Sequence, residues 1–254
     1  MNALPAPQCA GLLVTRPWEQ GVGIARRIVE AGGKAWLFPT IEIGALAPDP
    51  QRIREILAHA DWLVFISANA VQQGWPLVQL LPRQSRRLAA VGRATAQRLT
   101  DASHEPVLFP GEGADSESLL ALPELTRVDG QKVVIVRGRG GREWLKQSLE
   151  SRGAEVCYLE CYERRLPQPE LAVLDDALAE SAAISVQSAE ALHNLWCLAG
   201  EPRQAVMRQL TFLVPHPRVA EAALNLGVLD THVTGAGEDA LMDYWKNLKH
   251  RHHD

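Results

Sequence analysis

Apolar and polar positions follow one another along this chain in a rhythm that recurs. An apolar run at residues 11–14 leads into the turn Thr15-Arg16-Pro17, and Val22, Ile24, Ala25, Ile28 and Val29 are then spaced to face one way on a helix that Gly32-Gly33 ends. A second apolar run, residues 35–38, reads as the return strand of a right-handed β-α-β crossover. The same order appears at residues 132–165: an apolar run at 133–136, a Gly-rich turn at 138–141, a helix over 143–152, a stop at Gly153 and a second apolar run at 156–162. In both places the second run continues past the about 5 or 6 residues usual for a strand. It passes through Pro39-Thr40-Ile41-Glu42-Ile43 in the first copy and Tyr162-Glu163-Arg164-Arg165 in the second.

The two copies are offset by about 120 residues, and the match extends further, as an internal duplication does. Residues 62–66 lead into Ser67-Ala68-Asn69-Ala70-Val71, and residues 183–186 lead into Ser188-Ala189-Glu190-Ala191-Leu192, with a serine at each predicted helix N-cap. Residues 88–91 before Gly92-Arg93-Ala94-Thr95 match 211–214 before His216-Pro217-Arg218; residues 107–109 match 232–234. Each half thus alternates strands with helices, which predicts an α/β chain of two flavodoxin-like, doubly wound parallel-sheet domains.

The overruns decide how the domains are cut. If residues 39–46 and 158–166 leave their sheets and pair, they form a two-stranded antiparallel β-ladder that joins the domains, and the chain crosses over and back. One domain is then residues 1–38 plus 168–254, the second 48–158, and the linker ladder 39–47 with 159–167. Asp49-Pro50 and Pro167-Gln168-Pro169 restart helices after each crossing. Two successive domains of equal length are the simpler alternative.

Composition narrows the function classes. Hydrophobic residues at 46% and charged residues at 22% are globular values, and a net charge of -4 provides no basic field for nucleic acid. Cys9, Cys157, Cys161 and Cys197 have no metal-ligand spacing and read as reduced, mostly buried thiols; the histidines, including the tail His250-Arg251-His252-His253, form no metal signature. Arg83-Gln84-Ser85-Arg86-Arg87 reads as a solvated basic loop. Residues 1–11 lack an export signal and no run approaches the ~20 apolar residues of a membrane helix, so a cytoplasmic location is expected.

Ligands of doubly wound sheets bind beyond the carboxyl ends of the strands. The loops that fall there carry Thr15 and Arg16; Ser67, Ala68 and Asn69; Gly92 and Thr95; Arg137, Gly138 and Gly141; Ser188; and His216 to Arg218. Backbone N–H groups, small hydroxyls and arginine share one chemistry, anion binding, and include no nucleophile-base pair. Simple helix capping explains any one of these hydroxyls equally well. The turn Gly138-Arg139-Gly140-Gly141-Arg142-Glu143 lacks the third glycine of a dinucleotide fingerprint, and no P-loop exists, so a carboxylate or phosphate fits better than a nucleotide. Strand alternation over the overrun places Tyr158, Glu160, Tyr162 and Arg164 on one face, with Tyr162 on the linker over the gap between domains. A packing role for Tyr162 stands beside a role in the site.

Taken in order, LLVTRP, FPTIEI, VFISANAV, AAVGRATA, VIVRGRGGREWL, LESRGAEVCYLECYERR and HPRVAEAALNLG resemble the bacterial-type uroporphyrinogen-III synthase family over residues 11–245. The resemblance implies two α/β domains joined by a two-stranded ladder, an active site in the cleft between them, and no metal or organic cofactor. It implies a small-molecule substrate, hydroxymethylbilane, cyclised to uroporphyrinogen III with loss of water and inversion of ring D through a spiro intermediate. Tyr162 matches a tyrosine proposed in that family to assist departure of the hydroxyl. Val186-Gln187-Ser188 stands where relatives commonly show Thr-Ser, and His216-Pro217-Arg218 where some show a Thr pair. Hydroxyl contacts there do not carry over, whereas Ser67, Thr95 and Ser188 do. A monomer satisfies everything the resemblance implies, and a transient contact with the preceding pathway enzyme is left open. A non-catalytic two-domain binding protein for an anionic small molecule is the alternative; a glycosyltransferase-like enzyme lacks its diphosphate-binding loop.

Overall fold

The computed structural model describes residues 11–81 and 86–250. Cys9 with the rest of residues 1–10, most of the basic loop around Arg86 and the tail beyond His250 therefore lie outside the described residues. The chain opens with β1 (Gly11–Val14), α1 (Trp18–Glu30) and β2 (Lys34–Leu37). It continues through β3 (Glu42–Ala45), α2 (Pro50–Leu57), β4 (Trp62–Phe65), α3 (Ala68–Gln79), β5 (Arg87–Ala90), α4 (Arg93–Ser103), β6 (Val107–Leu108), α5 (Ser116–Leu120), α6 (Pro123–Thr126), β7 (Lys132–Gly138), α7 (Trp144–Glu150) and β8 (Glu155–Arg165). It ends with α8 (Leu171–Ala179), β9 (Ala183–Ser185), α9 (Ala189–Met207), β10 (Thr211–Val214), α10 (Pro217–Asn225), β11 (Asp230–Val233) and α11 (Glu238–His250). Two compact units result, Met1–Glu42 with Arg165–Asp254, and Ile43–Arg164.

Local chemistry sets the helix starts. The side chains of Asp49, Ser67, Asp115 and Ser188 accept hydrogen bonds from the first-turn amides of Gln51, Ala70, Ser118 and Ala191 at 2.6, 3.0, 2.8 and 3.1 Å. Each cap satisfies an amide that the helix itself leaves without a partner. Inside α9, Gly200 at φ +71° makes a kink that the apolar spacing did not reveal.

The first unit's sheet has the order β11-β10-β9-β1-β2, with parallel pairing throughout. Leu12, Val14, Ala183 and Leu213 point to one face, under Ile24 and Ile28 of α1 and Leu241, Met242 and Trp245 of α11. Leu13, Ile184 and Phe212, also fully buried, alternate to the opposite face. The second unit's sheet runs β3-β8-β7-β4-β5-β6. Leu63, Phe65, Val134 and Val136 pack beneath α2, α3 and α4, whereas Trp62, Val64, Val133 and Ile135 pack beneath α5, α6 and α7. Both faces are therefore covered, which is why these strands read as continuous apolar runs.

Apart from its added edge strand β3, the second sheet counted from β7 has the order second-first-third-fourth-fifth, which is also the order of the first sheet. The strands that correspond are β1 with β7, β2 with β8, β9 with β4, β10 with β5, and β11 with β6.

The expected pair of connecting strands is found as β3 beside β8, with the Leu46 amide donating to the Cys161 carbonyl at 3.0 Å. The expectation that both strands leave their sheets is corrected: the pair belongs to the second unit's sheet, because β8 stays in register with β7 as far as Gly138↔Tyr162. Among the described cysteines only Cys161 is buried; Cys157 is partly covered and Cys197 is exposed, so the expectation of mostly buried thiols fails for the last, on the outer side of α9.

Candidate active site

The second unit gathers its candidate residues at the carboxyl ends of β4, β5, β7 and β8. Between Arg137 and Gly138 the register with β8 slips, so that β8 carries one extra residue: Arg137 faces Glu160 and Gly138 faces Tyr162. This β-bulge breaks the alternation. Tyr162 consequently joins Leu159 and Cys161 in the core beneath α3, whereas Tyr158 packs on the other face. The expectation that Tyr158 and Tyr162 share a face is thus corrected by that single extra residue.

Tyr162 is 4% exposed, and its hydroxyl lies 3.1 Å from Ser67 Oγ. Ser67 Oγ also accepts the Ala70 amide, so the capping serine holds the phenol in place. Gly138 makes room for the ring: a Cβ there would lie 2.6 Å from Tyr162 Cε2 and Cζ. The Arg139 amide donates to the Tyr162 carbonyl at 2.7 Å and closes the bulge.

Arg137, 3% exposed, holds the glycine turn from inside. Its Nε donates to the Gly138 carbonyl at 3.1 Å, Nη1 to the Arg142 carbonyl at 3.3 Å and to Glu143 at 3.4 Å, and Nη2 to the Gly140 carbonyl. Its guanidinium also stacks 4.5 Å from the centre of the Tyr158 ring. The Arg139 and Gly140 amides are committed to the Tyr162 carbonyl and to Glu160; because a peptide's C=O and N–H point in opposite directions, the Gly140 carbonyl drawn inward turns the Gly141 amide outward. Gly141, at φ +99°, meets Arg137 Nη2 so closely that a Cβ would lie 2.7 Å from it. The turn borders a cavity of about 350 Å³ that Ile66, Val91, Asp115, Tyr158 and Tyr162 also line. Tyr158 donates to Glu143 at 2.6 Å; burial first, then that carboxylate, raises its pKa above the ordinary phenol value.

Ala68 and Asn69 begin α3, and Gly92 caps α4, where a Cβ would lie 2.8 Å from Ala114 Cβ. Thr95 is buried in the first turn of α4.

The first unit assembles a second group. Thr15 is fully committed: its hydroxyl donates to the Ser185 carbonyl at 2.7 Å, and its own carbonyl accepts from the Thr40 amide at 3.1 Å. Arg16 lies beyond β1, donating from Nη2 to Gln187 at 3.1 Å and from Nη1 to Glu238 at 3.3 Å. Gln187 in turn donates to Ser185 Oγ at 3.1 Å, one residue before the capping Ser188. Burial lowers the Arg16 pKa, and Glu238 partly opposes that. Sequence reasoning missed Glu143, Tyr158 and Glu238 as members of these groups. Glu238 stands 222 residues from Arg16, and no local pattern could have linked them. Among the described residues no group of three or more His, Cys, Asp or Glu could hold a metal ion, and no helix is long and apolar enough to cross a membrane.

A family profile described as Uroporphyrinogen-III synthase HemD matches residues 23–234. The chain belongs to the uroporphyrinogen-III synthase family. Within the family, a uroporphyrinogen-III synthase of Escherichia coli K12 is 35% identical over 242 residues, covering 91% of this chain and 98% of the relative. One from Salmonella typhimurium LT2 is 32% identical over 249 residues, with the same coverage. Among solved structures, a uroporphyrinogen-III synthetase from Helicobacter pylori 26695 superposes with a TM-score of 0.62 at 16% identity, covering 94% of this chain and 99% of that one. A mutant uroporphyrinogen III synthase from the extremely thermophilic bacterium Thermus thermophilus gives 0.59 at 16% identity, covering 95% and 99%. At that identity the superpositions establish the shared two-unit α/β fold.

Proposed function

We propose that this chain is a cyclising lyase, a uroporphyrinogen-III synthase, that closes hydroxymethylbilane to uroporphyrinogen III in tetrapyrrole biosynthesis. The observation that carries the reading is family membership over nearly the whole chain, with 91% of it aligned to a relative of that name. The side chains fit the chemistry. The substrate bears eight carboxylates, and the loops beyond the strands provide helix first-turn amides, the Gly141 turn amide and the Arg16 guanidinium rather than one strong nucleophile. Arg137 serves by shaping the turn, since its donors are committed to carbonyls and Glu143.

A hydroxymethylpyrrole loses water readily, because the pyrrole nitrogen stabilises the resulting cation. The harder task is directing attack to the substituted carbon of ring D, through the spiro intermediate, instead of the unsubstituted one. Holding the rings for that attack is catalysis by position. Tyr162, fixed by Ser67 and Gly138, is proposed as the group that assists departure of the hydroxyl. The reading requires no cofactor, and we place the enzyme in the cytoplasm as a monomer.

The test is direct. Purified protein is given hydroxymethylbilane, the products are oxidised, and the isomers are resolved chromatographically. The type III isomer is expected; type I alone at high enzyme concentration rejects the reading in favour of a binding protein.

A further inference from the structure

The Arg16 group holds a feature that anion binding alone does not explain: the cation is already occupied by a carboxylate of the protein. Glu238 offers Oε1 to Arg16 Nη1 at 3.3 Å and Oε2 to Arg27 Nη1 at 3.9 Å. One carboxylate thus stands between two guanidinium groups. Arg27 is meanwhile held by Asp239 at 2.7 Å, so it stays in place whichever way Glu238 turns. Gln187, a neutral partner, fixes the other end of the Arg16 guanidinium. Arg16 Nε is buried without a hydrogen-bond partner, which leaves donor capacity unused in this arrangement.

We infer that Glu238 is a resident counter-ion that an incoming substrate carboxylate displaces from Arg16, and that Arg27 receives it. The inference rests on the proposed function, because it takes hydroxymethylbilane as the source of that carboxylate. The physical reasoning concerns the empty site. A largely buried arginine without a counter-charge is costly, so a resident carboxylate keeps Arg16 ordered while no substrate is present. Glu238 side-chain exposure of 41% makes the pair weak enough to exchange. Its place in the first turn of α11 keeps the released carboxylate in a favourable field near Arg27. Exchange also favours carboxylate-bearing ligands, since a neutral ligand would have to break the pair and leave Arg16 uncompensated.

The experiment compares KM and kcat for hydroxymethylbilane in wild type, Glu238→Gln, Arg27→Gln and the double variant, with thermal unfolding checked for each. Removing the competitor should lower KM by about threefold with kcat unchanged, as expected for loss of an exposed ion pair. Arg27→Gln should raise KM, because released Glu238 loses its acceptor, and it should have no effect once Glu238 is Gln. A raised KM in Glu238→Gln overturns the exchange and assigns Glu238 to positioning Arg16; an unchanged KM, or an Arg27→Gln effect that persists in the double variant, overturns the exchange as well. Wild-type protein that yields the type III isomer while Glu238→Gln fails to bind more tightly rejects the exchange alone. Type I product from wild type rejects the function itself.

Discussion

Tyr162 is the residue on which sequence pattern and structure differ most usefully. A period of two sends its ring to the Tyr158 side of β8; the bulge sends it beneath α3, against Gly138 and within 3.1 Å of Ser67 Oγ. Its position therefore depends on a residue with no side chain. A methyl group at 138 would occupy the space of the ring edge. Tyr162→Phe is expected to lower kcat by about tenfold and leave clear residual activity, less than the ~100-fold or more typical of an indispensable general acid. Gly138→Ala, which shifts the same hydroxyl without removing it, should lose a similar amount, and the double variant should be little worse than either alone. Wild-type turnover in Tyr162→Phe takes the phenol out of the reaction, and additive losses separate Gly138 from it. The type and approximate position of Tyr162 were legible in the sequence through its family motif. Ser67 was legible as a helix cap and as a candidate substrate contact but not as the partner of Tyr162, because that contact spans 95 residues.

At the scale of elements, strand β8 shows why periodicity reaches only part of the way. Its length and apolar character were plain, and so was the pairing with β3, since the charged residues 163–165 could not continue into a core. The bulge was not legible, because one inserted residue leaves composition unchanged and is fixed by the Arg139-Tyr162 backbone bond across two strands. Likewise the sequence places Arg137 among the anion-binding candidates of the turn after β7, whereas the buried guanidinium points back into three carbonyls. An arginine beside a glycine turn fits either arrangement, and only packing against Tyr158 distinguishes them. Strand β8 also carries two groups whose neutral forms burial favours: the Tyr158 phenol, raised above its usual range, and the Cys161 thiol, pushed up to about 12. For both, the folded value exceeds the unfolded one, so the stability they contribute is whole below the unfolded pKa and is lost as pH rises toward the folded one. The Cys161 contribution, bounded at about 4 kcal/mol by the rise from 9.0 to about 12, should fade across that pH interval. Urea unfolding of the second unit, followed across that range, should show the decline, and Cys161→Ala should flatten it even though the smaller side chain lowers stability at neutral pH. An unchanged slope in that variant assigns the alkaline loss to Tyr158 or to another group.

For the whole molecule, the informative fact is that two sheets sharing one order over five strands are built from differently cut pieces of chain. Offset matching made the duplication legible, and strand-helix alternation gave the fold class; the order within each sheet needed the pairings themselves. The second unit, Ile43–Arg164, is one continuous segment, whereas the first is completed only when Arg165–Asp254 joins Met1–Glu42. Both packed faces of the second sheet draw their buried residues from positions 53 to 162, so the segment contains its core entire. In the first unit, β1 lies between β2 and β9, and its ladder cannot form until residues from the far end of the chain arrive. The longest loop closure therefore falls on the first unit, whose Leu12↔Ala183 pair brackets the whole second unit, whereas Trp62↔Val133 closes a shorter loop within the second. Residues 43–164 expressed by themselves, a domain of ordinary size, are expected to give native-like circular dichroism and a single cooperative thermal transition. A first unit made by joining residue 42 to 165 through a short Gly-Ser turn should refold faster than that unit does in the intact chain, because the inserted domain no longer separates its strands. If residues 43–164 show no cooperative transition, the units are not independent in folding, and the continuous core of the second is insufficient by itself.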